Sequence, residues 1–148
     1  MGTIKSRNSA SAGTGRSAAS APKARRGNPE YQEQKALFRW SQQPQIRGQY
    51  PCLKLLFHIK NEERSGDARS VAVDRAAGVK KGVPDLCLPV PCGAYHGLYI
   101  EMKAPNGRTS PEQDWWLDEL RGQGYRAAVC YCWEDAAAVI LNYLEATP

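Results

Sequence analysis

The stretch Gly97-Leu98-Tyr99-Ile100-Glu101-Met102-Lys103 reads as a strand with chemistry on one side. Strand side chains alternate with a period of two. Leu98, Ile100 and Met102 therefore face one way, and Tyr99, Glu101 and Lys103 face the other. Separated from Glu101 by fifteen residues, Pro84-Asp85 opens a second apolar run, Leu86-Cys87-Leu88. Proline is tolerated at the head of a strand because its missing N–H is not needed there. Residues 89–97 have the length and Pro/Gly content of a hairpin connection. A hairpin sets the two strands side by side and brings Asp85 and Glu101 together. Two such carboxylates can hold a hard divalent cation, and a lysine beside them suits attack on a phosphodiester by metal-activated water. The motif alone also fits an exposed strand edge with a Glu101–Lys103 ion pair.

The remaining elements follow from local signals. Asn28-Pro29-Glu30 starts a helix, with Asn at the N-cap, Pro in the first turn and an acid beside it, and the helix runs to about residue 42. Residues 45–51 read as loop and residues 53–59 as a mostly buried strand. A helix over about 67–77 ends at Gly78. Ser110-Pro111-Glu112-Gln113 is a capping box that opens a helix to about residue 121. Gln113, Trp116, Leu117 and Leu120 share one face of it. Residues 125–131 read as a strand, and Trp133-Glu134-Asp135 opens the last helix. The order α-β-α-β-β-α-β-α predicts an α/β fold, a small mixed sheet flanked by helices.

Taken together, these stretches resemble the virus-type replication-repair nuclease (VRR-NUC) family of the PD-(D/E)XK superfamily. The likeness is carried by residues 78–86, 97–103, 110–113 and 124–126, and it extends over roughly 30–145. It is similar to the small stand-alone members found in phages and prophages. The resemblance implies a restriction-endonuclease-like core and hydrolysis of DNA with Mg²⁺ or Mn²⁺ as cofactor. Asp85, Glu101 and the backbone carbonyl of Met102 would be the metal ligands. Lys103 would sit near the attacking water and the phosphate. Glu30, in Glu30-Tyr31-Gln32-Glu33-Gln34, matches the family's helix acid, with Gln34 one turn on along the same face; Glu33 is its rival. Gln113 matches a glutamine aimed at the site, while the capping box offers it a purely structural role. Asn61, Lys80 and Lys81 are candidate contacts to nucleic acid, or else loop residues. Trp115 and Trp116 read as core or subunit interface. The resemblance further implies a homodimer acting on branched DNA such as a four-way junction. A sequence-specific restriction-type nuclease and a non-catalytic nucleic-acid-binding protein are the alternatives.

Charge and cysteine content refine this reading. The net charge is +5, yet residues 1–27 carry six basic residues and no acid. The other 14 basic and 15 acidic residues leave about −1 on the rest. The leader is rich in Ser, Ala and Gly and is expected to be a disordered basic tail ahead of a nuclease domain at 28–148. It could serve as a phosphate-attracting arm. Five cysteines with no CxxC pair, and only two histidines, argue against structural zinc and for a reducing cytosol. No apolar run approaches the ~20 residues of a membrane span, and no export signal is apparent.

Overall fold

The computed structural model describes residues 28–60 and 68–146, with 68–70 defined by backbone alone. The basic leader and Asn61 lie outside the described residues. Helix α1 (Pro29–Ser41) is followed by a short α2 (Pro44–Gln49), a 3-10 turn (Pro51–Leu55) and strand β1 (Phe57–His58). Then come α3 (Ala68–Ala76), β2 (Leu86–Leu88), β3 (Leu98–Met102), α4 (Pro111–Gly122), β4 (Arg126–Cys130) and α5 (Trp133–Leu144). The strands form one mixed sheet in the order β1-β2-β3-β4. The pairs β1/β2 and β2/β3 are antiparallel, and β3/β4 is parallel. A parallel pair needs a crossover, which α4 supplies.

The caps expected from sequence are formed. Asn28 accepts the Glu30 amide at 3.0 Å. Ser110 and Gln113 exchange their two hydrogen bonds at the start of α4, at 3.3 and 2.9 Å. The core gathers around β3, whose Leu98, Ile100 and Met102 are at most 1% exposed. Leu37 of α1 and Ile140 and Tyr143 of α5 belong to the same cluster. The Tyr143 hydroxyl is satisfied by donating to the Val90 carbonyl at 2.6 Å. Burying the apolar side of β3 leaves its other side to present Glu101 and Lys103.

Three expectations need correction. Residues 45–51 are largely helical, because Pro44 stands at the first position of α2, where a proline costs no hydrogen bond. The strand expected over 53–59 is only Phe57–His58, and both residues are exposed. The buried positions before it, Leu53 and Leu56, are three apart, which is the period of a 3-10 turn and not of a strand. Trp115 is likewise no core residue, being 56% exposed.

The loop into Asp85 is held by close backbone packing. Gly82 has φ +81°, and a Cβ there would lie 2.8 Å from the Glu112 carbonyl carbon and Cβ. Only glycine meets both demands. Gly82→Ala is expected to lower stability by about 1–3 kcal/mol, read from urea denaturation midpoints. A change within about 0.5 kcal/mol would show that this loop does not depend on its contact with α4.

Candidate active site

Asp85 ends the loop and precedes β2. Its backbone carbonyl accepts the Ile59 amide at 2.8 Å and lies 2.9 Å from His58 Nδ1. Its side chain turns to the neighbouring strand, where Oδ2 accepts the Met102 amide at 2.9 Å. The Lys103 amide instead donates to Cys130 of β4 at 2.8 Å. Backbone groups of successive strand residues alternate sides, so Met102 directs its amide and carbonyl toward Asp85. The carbonyl named from sequence as a metal ligand is thus on the same side as this carboxylate.

Glu101 is the most confined acid of the site, at 1% exposure. Its Oε1 accepts from Gln113 Nε2 at 2.5 Å and sits 3.0 Å from Lys103 Nζ. Its Oε2 is buried and, among the described residues, has no hydrogen-bond partner. Gln113 therefore combines the two roles left open by the sequence. Its amide oxygen closes the capping box of α4, and its amide nitrogen reaches Glu101. One side chain ties the start of α4 to the acid on β3.

The other candidates are placed as follows. Glu30 Oε1 accepts the Ala104 amide at 3.2 Å, directly after Lys103, which sets it beside the Asp85 and Glu101 carboxylates. Its rival Glu33 turns elsewhere, accepting the Trp133 amide at 2.8 Å at the start of α5. Gln34 is buried one turn along α1 from Glu30. Lys80 and Lys81 are exposed on the loop before Asp85, and Lys81 pairs with Glu112 at 2.9 Å. Sequence reasoning did not single out His58. Its only signal there was a histidine at a strand end, which has too many structural uses to stand out.

Electrostatics reflect this confinement. Burial pushes the Glu101 carboxyl up to about 7, helped by the charge of Asp85. The hydrogen bond and charge of Lys103 oppose the shift, and Glu30 adds to it. Burial also raises Asp85 above the usual carboxylate range, against the Met102 amide and the charges of His58 and Lys103. Acids that repel one another in a dry setting want a cation between them.

Among the described residues, no group of three or more His, Cys, Asp or Glu forms a preformed cage. Two carboxylates, one with an orphaned buried oxygen, and a backbone carbonyl still fit Mg²⁺ or Mn²⁺ chemistry. Mg²⁺ takes oxygen ligands and retains several waters, so it is commonly held by one or two carboxylates.

Comparison with known proteins identifies the family. The VRR-NUC domain profile matches residues 28–133. No curated protein matches the chain. A solved structure described as a VRR_NUC domain protein superposes with a TM-score of 0.68 at 30% identity, over 82% of this chain and 92% of that one. The acids, lysine and glutamine gathered at the sheet lie within the matched span, and the chain belongs to the VRR-NUC family of nucleases.

Proposed function

We propose that the protein is a Mg²⁺- or Mn²⁺-dependent endonuclease that hydrolyses DNA phosphodiester bonds. The observation that carries this reading is the buried Oε2 of Glu101, without a partner among the described residues, in a site shared with Asp85 and Lys103. A divalent cation held by Asp85, Glu101 and the Met102 carbonyl would polarise a phosphate oxygen and acidify a water.

The chain's own groups have separate tasks. The Met102 amide fixes the Asp85 carboxylate, and Gln113 fixes that of Glu101. Each acid is thereby held ready, with one oxygen committed to the protein. Lys103, with its side chain 11% exposed, brings a positive charge to the phosphate as negative charge builds in the transition state. Glu30 adds a further acceptor at the edge of the site. Gln34, Asn61, Lys80 and Lys81 are proposed as contacts to the nucleic acid. The family likeness supports a homodimer acting on branched DNA, and the cysteine content supports a reducing cytosol. Two sites related by a two-fold axis suit cutting both strands of a four-way junction. Among the described residues, no helix is long and apolar enough to cross a membrane.

Asp85→Asn and Lys103→Ala are each expected to lower cutting of labelled four-way-junction DNA by about 100-fold or more, and EDTA to stop it. Circular dichroism should show both variants folded. Full activity in either variant would remove that residue from the mechanism.

A pH dependence follows from Glu101. Its folded pKa lies above that of an unfolded glutamate, so its contribution to stability is complete below the unfolded value. That contribution is lost as pH rises through about 7. The melting temperature of metal-free protein should therefore fall between about pH 5 and 8, and Glu101→Gln should flatten the fall. Added Mn²⁺ should raise the melting temperature more at pH 8 than at pH 5. An equal rise at both would contradict cation binding by these acids.

A further inference from the structure

The loop leading into Asp85 and the first turns of α4 enclose a groove of about 600 Å³, lined by Lys80, Lys81, Pro111, Glu112, Trp115 and Trp116. None of the hydrolytic steps above uses it. The two indoles stand edge to face, 5.3 Å between centroids at 76°. Trp116 is anchored, its Nε1 donating to the Lys81 carbonyl at 3.0 Å. Trp115 is left largely in solvent, although an exposed tryptophan contributes little to folding.

Resting on the nuclease reading, we infer that this groove is a stacking subsite for one unpaired base of the DNA substrate, with Lys80 at its rim meeting the adjoining phosphate. Three features support this occupant. A tryptophan face accepts any base by stacking, without sequence preference. Lys80 complements the charge of the strand. Glu112, 2.9 Å from Lys81, offers an acceptor to a base amino group.

The groove is also built into the site. Its lysines lie on the loop that ends in Asp85, and its tryptophans lie on the helix whose Gln113 reaches Glu101. A base docked there would set the strand relative to the cut. A base inside an intact duplex cannot offer its face to a groove. Among branched DNAs, the subsite therefore favours those with unpaired nucleotides next to a duplex, such as flaps, over a fully paired four-way junction. A second copy of the chain fits less well. A stable interface takes about 800 Å² from each partner, whereas among the described residues six line this groove. The other large exposed apolar side chains among the described residues are on other elements: Tyr31, Leu55, Phe57, Val73, Tyr95 and Tyr131.

The test uses the full chain in EDTA and two 2-aminopurine probes. One carries the fluorophore in an unpaired nucleotide beside a duplex, and the other inside a fully paired duplex. The wild type should quench the unpaired probe on binding. Trp115→Ala should reduce the preference for that probe by about ten-fold or more, and Trp115→Phe should stay within about three-fold of the wild type. Equal losses on both probes, or a Phe variant as weak as the Ala variant, would overturn the inference. So would Trp115→Ala turning a dimer into a monomer in sedimentation, which assigns the face to a second copy. Cleavage with Mn²⁺ is followed in parallel. A wild type that cuts no DNA defeats the nuclease reading and the inference with it. A wild type that cuts, with an unmoved probe preference, defeats the inference alone.

Discussion

Glu101 is a carboxylate placed where the sheet has almost no water, and the neighbouring structure compensates for that. Ionising a buried acid is costly unless hydrogen bonds or opposite charge offset it. Lys103 supplies the charge from the same strand face, and Gln113 supplies the hydrogen bond from α4. The offset is incomplete, because one carboxylate oxygen remains without a partner. A buried ion pair adds little net stability compared with apolar residues at both positions, so the Glu101–Lys103 pair points to function and not to stability.

The same demand explains how distant parts of the chain are joined. The Met102 amide donates to Asp85, linking the loop before β2 to β3. The Ala104 amide donates to Glu30, linking α1 to the end of β3. Gly82 lets that loop press on α4, which also delivers Gln113. Three segments far apart in sequence thus meet at one edge of β3 through hydrogen bonds to its backbone and to Glu101. The apolar cluster on the other side of β3 gives them a rigid base.

Much of this was legible in the chain. The period of two in residues 98–103 separates core from site on β3, and the caps at Asn28 and Ser110 mark two helix starts through local chemistry alone. Residues 44–59 were harder, because Pro44 and Pro51 read as breaks although each opens a helical turn. There the spacing of Leu53 and Leu56 carried the information, and a short apolar run does not separate a strand from a 3-10 turn. At the site, Glu30 and Glu33 are one register apart, and only packing shows that Glu33 turns to α5 while Glu30 meets β3. The partnering of His58 with the Asp85 carbonyl and the groove beside Trp115 depend on tertiary contacts that no local pattern encodes.

The most direct test is where a cation binds. Crystals of the full chain soaked in Mn²⁺ should give an anomalous difference peak within coordination distance of both the Asp85 and Glu101 carboxylates. A saturating soak with no peak there, or with the only peak on other residues, would contradict the central claim that these two acids form a metal site.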